Sequence, residues 1–455
     1  MALIDLLKNL PEVTPPIEKK VSFNVKLKWT LIILIAFFIL SNVTLVGITP
    51  GAQSRFEYLS TFLGASFGSL MTLGIGPIVM ASIILQLLVG AQILSVDTST
   101  PEGKKYFQGL QKLLTFAFVI FESMVYVLMN GVEAAPGFTG LVILQLCLGG
   151  FLIVFMDEVI QKWGFGSGVS LFIAAGIGWQ LFVQLFQFIN PTTLAFEPTG
   201  RVLAFIFSII IADGNSAMRA LVPIITTVLL FFAVVFAQSL KVEIPLAFDR
   251  IRGHSIRWPL QFFYAGVMPV IFVSALVANI QLFGSLIQGW VGHPTFLGGF
   301  SGATPVSGLA YWIGTTNIIE ALITGSFRWI YALQALIHVL FYVILAVLFS
   351  FFWVNTAGMD ARSQAGKIMN SGMSMPGFRK DERVMESILK RYINPLTIMG
   401  GAAIGLLASV ANLLGALVGG TAILLAIMVI YQLYENIAQQ HAVDMNPGLR
   451  GFFGG

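Results

Sequence analysis

Charged residues are scarce in this chain, and cysteine and histidine are scarcer still. Only 10% of the 455 residues are charged, and the chain has one cysteine and four histidines. The single Cys147 excludes an intramolecular disulfide framework, and its apolar neighbours predict a packed side chain. The histidines show no HExxH spacing and the chain has no CxxC pair, so we expect neither a metal site nor a cofactor.

Nucleotide-binding signatures are also missing. The chain has no GxxxxGK[ST] loop, and the glycine-rich WGFGSGVSLF at Trp163–Phe172 lacks the preceding strand that a dinucleotide fingerprint requires. The sequence therefore gives no support to an enzymatic function. Because it has no ATP-using motif, any transport that it performs must be driven by a partner.

Long apolar runs are what the chain has in abundance. Hydrophobic residues make up 57% of it, and the mean hydropathy is +0.87, which is typical of a polytopic membrane protein. A spanning helix needs about 20 apolar residues, and ten runs come close enough to that length to predict ten spans. They lie at Trp29–Ile48, Thr72–Leu94, Leu113–Met129, Phe138–Phe155, Val169–Ile189, Leu221–Phe236, Phe262–Ile287, Ile330–Trp353, Leu396–Leu417 and Ala422–Ile437.

The basic residues predict how these spans are oriented. If both termini are cytoplasmic, all but four of the 25 Lys and Arg residues fall in cytoplasmic segments, as the positive-inside rule requires. The external four are Arg55, Arg201, Arg219 and Arg328. An even number of spans preserves this split, so we expect the apolar run Leu203–Ile211 to lie on the external surface. The N-terminal MALIDLLKNLPEV is interrupted too early for a secretory signal and predicts a short amphipathic helix in the interface.

One segment enters the membrane without crossing it. Phe56–Phe67 is too short to span, and TLGIGPIVMASIILQLLVG follows at once. Irregular backbone at membrane depth persists only where protein or a water-filled cavity surrounds it, so this segment is expected to face an interior. The small residues between Gly64 and Ser69 permit close packing and a hinge before the next span. A re-entrant loop that merely seals the bundle is the alternative.

Charge is nearly absent from the middle of the spans, whereas ion-coupled transporters usually carry ionisable groups there. Glu122 is the clear exception, while Asp157, Glu158 and Glu435 lie near span ends. Glu122 is either an interior contact that tunes helix separation or an acid satisfied by a neighbouring helix or kept protonated. His338 is expected to be a core histidine.

Uncharged polar residues recur on two of the spans. The second span carries Thr72, Ser82 and Gln86, and the seventh carries Ser274, Asn279 and Gln281. Interhelical hydrogen bonds of this kind contribute only about 1 kcal/mol each. These residues predict either a seam that can open within the bilayer or ordinary helix packing.

Several long motifs, in order along the chain, resemble those of the SecY family. They are LGIGPIVMASIILQLLVG (Leu73–Gly90), GFGSGVSLFIAAG (Gly164–Gly176), KVEIPLAF (Lys241–Phe248), MPVIFVSALVANIQL (Met268–Leu282) and GFRK with LKRYINPLT (Gly377–Thr397). The resemblance runs essentially end to end. The Gly-Pro of LGIGPIV and the KVEIPL loop are similar to the archaeal and eukaryotic branch, which implies an archaeal plasma membrane.

The resemblance implies an all-α polytopic fold with ten transmembrane helices, in two inverted five-helix halves around a central pore. It divides the chain into a cytoplasmic amphipathic N-terminal segment (1–28), a first half with spans one to five (29–190), an external loop (191–220), a second half with spans six to ten (221–440) and a cytoplasmic tail (441–455). The implied function is a passive protein-conducting channel that translocates unfolded secretory polypeptides and releases hydrophobic segments sideways into the lipid bilayer. The implied partners are the ribosome, signal sequences and nascent chains, a SecE-like subunit and a small beta/SecG-like subunit.

The resemblance also implies roles for particular residues. The family's aliphatic pore ring falls on Ile75, Val79, Val169, Ile173, Ile271 and Leu425. The short segment at about 56–67 becomes a plug, with Phe56, Leu59, Phe62, Leu63, Gly64 and Phe67. A lateral gate between spans two and seven would include Thr72, Ser82, Gln86, Glu122, Ser274 and Asn279. The cytoplasmic loops would bind ribosomal RNA through Arg250, Arg252, Arg379 and Lys380, although topology alone also explains basic residues there.

Two other classes of membrane protein remain alternatives. A secondary transporter built from inverted repeats would hold a substrate at the midplane, and the sparse midspan charge argues against it. An ion channel would need charged or carbonyl-lined rings, and the sequence has no filter-like signature.

Overall fold

The structure is a computed structural model that describes residues 10–17, 21–49, 68–90, 93–94, 96, 100–129, 131–188, 199–248, 255–302, 304–370, 373–374 and 381–445. The helices are α1 (Phe23–Ser41), α2 (Gly76–Gly90), α3 (Pro101–Leu128), α4 (Thr139–Trp163), α5 (Gly168–Phe186), α6 (Arg201–Ile210), α7 (Gly214–Ser239), α8 (Met268–Val291), α9 (Gly308–Ile313), α10 (Ile318–Ile323), α11 (Trp329–Thr356), α12 (Ala361–Asn370), α13 (Glu382–Leu413) and α14 (Gly420–Met445). The strands are β1 (Lys241–Phe248), β2 (Ser255–Gln261), β3 (Gly299–Ser301), β4 (Thr304–Ser307) and β5 (Met373–Ser374). Residues 1–9 of the predicted N-terminal interface helix lie outside the described residues, and residues 10–13 are not helical.

Each of the ten predicted spans contains a helix. In the described residues, nine helices are long and apolar enough to cross a membrane, and the remaining span contains α2, which has 15 residues. Tight turns precede α2, with Gly74 N donating to Met71 O at 3.0 Å and Gly76 N to Leu73 O at 3.2 Å. Because Pro77 has no N–H for the next bond, the helix starts beside it and not at the predicted Thr72.

Two helices extend well beyond their predicted spans at the end that the sequence places in the cytoplasm. Helix α3 starts at Pro101 after Thr100, whose Oγ1 accepts from Gly103 N at 3.1 Å. Helix α13 starts at Glu382 after Asp381, whose Oδ1 accepts from Arg383 N at 2.9 Å. The predicted spans begin later, at Leu113 and Leu396, because hydropathy detects only the part of a helix that matches the apolar thickness of a bilayer.

The apolar run Leu203–Ile211 forms a separate short helix, α6, as predicted, and not part of a span. None of its ten residues is buried. The chain breaks before the next helix because the carboxylate of Asp213 accepts from Asn215 N at 3.1 Å and Ser216 N at 3.3 Å. These bonds, with one from the Ser216 hydroxyl, hold the pKa of Asp213 below its usual range.

We call α1–α5 the first half and α7, α8, α11, α13 and α14 the second half. The two halves meet along two lines of contact. At the front seam, α2 packs against α8 and α11, and at the rear seam α5 packs against α14. A continuous cluster of buried apolar side chains, drawn from both halves, fills the space between the seams.

A small sheet stands beside the helices, where the sequence predicted only a basic loop. Strands β1 and β2 pair antiparallel, with Lys241 opposite Gln261, and β5 pairs with the end of β1. Ile244 and Leu246 are buried in a second apolar cluster, together with residues of α13. The Tyr264 hydroxyl donates to Met359 O at 2.6 Å.

Candidate functional site

All six residues of the predicted pore ring are buried in the central cluster. Their exposed fractions range from 0% to 7%, and they come from α2, α5, α8 and α14, except that Ile75 lies in the turn just before α2. Their side chains belong to one apolar cluster that joins both halves. The structure therefore buries the six aliphatic side chains within the apolar interior that the two halves share.

A cavity of about 420 Å³, which we call the vestibule, ends on this interior. Three predicted ring residues, Val79, Val169 and Ile271, line it, whereas the other three do not. Polar residues line it as well, including Lys104, Gln108, Gln111 and Gln161. A chamber with a mixed polar and apolar lining that is closed by aliphatic side chains would not connect the two sides of a membrane for water and ions.

The start of α5, which carries Val169, is fixed by a buried carboxylate. Asp157 Oδ1 accepts from Val169 N at 3.0 Å, and Gln161 Nε2 donates to Asp157 Oδ2 at 2.7 Å. The two segments pack so closely that a Cβ on Gly168 would lie 2.6 Å from Asp157 Cα. The sequence placed Asp157 only near a span end, and its role became visible when folding brought α4 and α5 together.

The predicted gate residues are also buried, but most of their hydrogen bonds stay within one half. Ser274 Oγ donates to Ile271 O at 3.0 Å, and Asn279 Nδ2 donates to Ala275 O at 2.8 Å, both within α8. Ser82 Oγ accepts from Gln111 Nε2 at 2.6 Å and donates to Ile78 O at 2.9 Å. Thr72 Oγ1 donates to Ser69 O at 2.5 Å. These bonds satisfy the polar groups without joining α2 to α8.

One buried acceptor on α2 lacks a partner. Within the described residues, Oε1 of Gln86 has no hydrogen bond, and neither has Oε1 of Glu122 on α3. A buried acceptor without a partner costs about 1–3 kcal/mol. Entry of a donor into the front seam would remove that cost at Gln86, so this group favours separation of the helices.

The front seam also has a very close contact that sequence reasoning missed. An added Cβ at Gly90, the last residue of α2, would overlap the ring of Phe352 on α11. Nearby, Lys367 Nζ donates to Gly358 O at 2.9 Å, and Lys104 Nζ lies 3.6 Å from where a Cβ on Gly358 would be. Lys104 on α3 and Lys367 on α12 therefore bring two like charges close together.

The rear seam differs because a hydrogen bond joins the two halves there. Gln184 Oε1 on α5 accepts from Val418 N at 3.0 Å. Val418 has a φ of 58°, which is a strained conformation for a β-branched residue. The preceding residue is also held, since Leu417 N donates to Thr227 Oγ1 at 3.0 Å. The loop before α14 is thus fixed to both α5 and α7.

The predicted plug residues Phe56, Leu59, Phe62, Leu63, Gly64 and Phe67 lie outside the described residues, as do Arg250, Arg252, Arg379 and Lys380. The chain on either side of the plug is described. Thr49 N donates to Glu133 O at 3.0 Å, and Leu45 N donates to Gly68 O at 2.9 Å. Gly68 has a φ of 80°, which favours glycine. Both attachment points of the plug segment are therefore fixed on the first half.

The base of the β1–β2 hairpin is attached to α14, which carries Leu425. Glu435 Oε1 accepts from Lys241 Nζ at 3.4 Å, and Glu435 Oε2 accepts from Gln261 Nε2 at 2.9 Å. Lys241 and Gln261 are direct partners at the open end of the hairpin. A force on the hairpin would reach α14 through this carboxylate.

Comparison with known proteins gives consistent matches over the whole chain. The family model described as SecY matches residues 69–434. The protein translocase subunit SecY of Methanothermobacter thermautotrophicus is 43% identical over 454 residues, covering 99% of this chain and 98% of that protein.

Solved structures give the same picture. The structure described as that of a protein conducting channel has a TM-score of 0.83 and 38% identity, covering 98% of each chain. Sec61 in the canine ribosome-channel complex from the endoplasmic reticulum has a TM-score of 0.80 and 37% identity, again covering 98% of each chain.

Proposed function

The chain belongs to the SecY family, and we propose that it forms the channel through which unfolded secretory polypeptides cross the membrane. The observation that carries this proposal is the vestibule, which ends on aliphatic side chains from both halves. The relatives reported above are translocase and channel proteins, and they give no support to the alternative of a secondary transporter.

The pore ring would consist of Ile75, Val79, Val169, Ile173, Ile271 and Leu425. Their burial supports this assignment. An aliphatic constriction excludes water and ions, yet its side chains bind nothing strongly and can move apart around a peptide. Translocation then needs no bond chemistry in the channel, and the driving force comes from a partner.

The lateral gate would be the front seam. A signal sequence is an apolar helix, and it binds an open seam better than a closed one, so it shifts the population toward opening. Hydrogen bonds that stay within one half support this proposal, because α2 and α8 can separate without breaking them. The Oε1 atom of Gln86, which has no partner in the described residues, supports it as well.

The plug would be the segment at about 56–67, which closes the ring from the external side. Its two attachment points on the first half, at Thr49 and Gly68, support this proposal. A plug attached to one half alone can leave the ring when the halves separate. The chain length between these points allows such a movement within the interior.

The ribosome would dock on the cytoplasmic hairpin and the neighbouring loop, through Arg250, Arg252, Arg379 and Lys380. The matched Sec61 belongs to a ribosome-channel complex. The attachment of the hairpin to α14 by Glu435 supports a path from docking to the ring. We also propose SecE-like and small beta/SecG-like partners, an archaeal plasma membrane and cytoplasmic termini.

Site-specific photocrosslinking to a stalled nascent polypeptide tests the channel. The crosslinking residue is placed at Val79, Val169 or Ile271, with Ile35 and Leu229 as controls on exposed apolar faces. We expect crosslinks from the three ring positions and none from the controls. Crosslinks from the controls alone would exclude a pore at this site.

A further inference from the structure

A second cavity lies at the outer end of the rear seam, away from the vestibule. Its volume is about 430 Å³. It lies between the end of α5, the starts of α6 and α7, the short helix α10 and the loop before α14. We call it the rear pocket. Two of the four arginines that the sequence places outside the membrane, Arg201 and Arg219, line it.

A proline explains how these two arginines come together. Pro223 lies inside α7, so the carbonyl of Arg219, four residues earlier, loses its helical donor. Arg201 Nη1 donates to that carbonyl at 3.5 Å. A guanidinium has five N–H donors, and this bond uses one of those of Arg201.

The described residues that line the rear pocket carry two positive charges, on Arg201 and Arg219, and one negative charge, on Glu320. In the described part of the chain, neither arginine has a carboxylate within salt-bridge distance, and Asp213, which interacts electrostatically with Arg219, does not line the pocket. Glu320 is the acidic residue among those lining the pocket, and its Oε2 already accepts from Asn317 Nδ2 at 3.2 Å. Two guanidinium groups therefore face one carboxylate, which favours an anionic ligand with oxygen acceptors.

The helix that begins at Arg201 shows what kind of anion fits. Helix α6 is too short to span, has no buried residue, and exposes Ile206, Phe207, Ile209 and Ile210. A short amphipathic helix of this kind lies in the membrane interface, with its apolar face among the acyl chains. The rear pocket then opens at the level of the lipid headgroups.

We propose that the rear pocket binds the phosphate of an anionic phospholipid from the outer leaflet. Arg201 and Arg219 hold the phosphate, and the acyl chains lie along the apolar face of α6. Arginine forms bidentate hydrogen bonds with phosphate, which a zwitterionic headgroup weakens by its own positive charge. The bound lipid would brace α6 against the loop before α14.

Retention of phosphatidylglycerol by the purified full-length channel tests this proposal without any transport. Native mass spectrometry compares phosphatidylglycerol with phosphatidylcholine in the wild type, in Arg201→Gln/Arg219→Gln and in Arg328→Gln. Arg328 is also external and exposed and does not line the pocket. We expect phosphatidylglycerol to be retained about tenfold less for each arginine lost, and the Arg328→Gln control to behave as the wild type.

Further measurements distinguish a bound lipid from other occupants of the rear pocket. Arg201→Lys/Arg219→Lys should recover part of the retention, and inorganic phosphate should not displace the lipid, because it has no acyl chains. A photocrosslinker at Ile210 should label lipid. The proposal is overturned if phosphatidylglycerol is retained equally by the double glutamine variant, if inorganic phosphate displaces it, or if Ile210 labels a protein subunit instead.

Discussion

The two seams between the halves of the molecule are built in opposite ways. At the rear seam, Gln184 on α5 accepts a hydrogen bond from Val418 of the second half. At the front seam, Ser82, Ser274 and Asn279 form hydrogen bonds within their own halves. The difference indicates a hinge at the rear and a gate at the front, because separation at the front leaves these hydrogen bonds intact.

The front seam also contains features that oppose closure. The Oε1 atom of Gln86 is buried without a partner in the described residues, and Lys104 on α3 repels Lys367 on α12. What holds it closed is packing, including the contact of Gly90 with Phe352. A seam of this kind is held by contacts that a passing apolar helix can replace.

Gly90→Leu should have the largest effect on the equilibrium between the closed and open gate, because it overpacks the closed front seam. Overpacking costs about 1–3 kcal/mol, which would shift the equilibrium toward the open gate by about 5–150-fold. Ion conductance in planar bilayers should rise, and substrates with weakened signal sequences should be translocated. The control is Gly178→Leu on α5, where an added Cβ meets nothing within 4 Å. Wild-type conductance in Gly90→Leu would show that this contact does not close the gate.

A matched pair of glutamine substitutions compares the seams directly. Gln184→Leu leaves the buried Val418 N–H without its acceptor and should lower the free energy of unfolding by about 1–3 kcal/mol. Gln86→Leu removes an acceptor that has no partner, so it should leave stability unchanged or raise it. Thermal unfolding in detergent measures both. Equal destabilisation by the two variants would remove the distinction between the seams.

Asp157→Ala should destabilise α5, the helix that carries Val169 and Ile173 of the proposed pore ring. Loss of the acceptor for Val169 N at the start of α5 should cost about 0.5–2 kcal/mol, as for other helix caps. Asp157→Asn keeps an oxygen at this place and should be milder. Thermal unfolding and ion leak together report the effect, and equal results for the two variants would contradict a capping role.

Lys104→Gln should have the smallest effect, because the repulsion that it removes is partly exposed to solvent. The closed front seam should become more stable by less than about 1 kcal/mol. Substrates with weak signal sequences should then be translocated slightly less, and added salt should abolish the difference. A difference that persists at high salt would point to packing and not to charge.

The sequence predicted the spans well because apolar length is a local property. Each of the ten runs contains a helix. The separation of α6 from α7 was expected, because an eleventh span would reverse the orientation of every later loop. The errors are at span ends, where Pro77 delays α2 and the polar first turns of α3 and α13 fall below any hydropathy threshold. The β1–β2 hairpin was missed because its strands contain Pro245 and Pro259, which are unfavourable in a strand.

The site was predictable only in part, because its features depend on distant contacts. Burial of the six ring residues and of the gate residues agrees with the resemblance to the family. Three features of the site depend on contacts between residues that are distant in the sequence or on different helices. They are the cap of Asp157 on Val169, the contact of Gly90 with Phe352 and the positive φ of Val418. Periodicity along one helix contains no information about such pairs.

Locking each seam separately tests most directly whether the front seam is a gate and the rear seam a hinge. In a Cys147→Ala background, a short thiol crosslinker joins either Gly90→Cys to Phe352→Cys at the front or Gln184→Cys to Val418→Cys at the rear. Translocation of a secretory substrate is measured before and after crosslinking. A gate at the front and a hinge at the rear predict that the front lock stops translocation and the rear lock does not. Continued translocation with the front locked, or arrest by the rear lock alone, would contradict it.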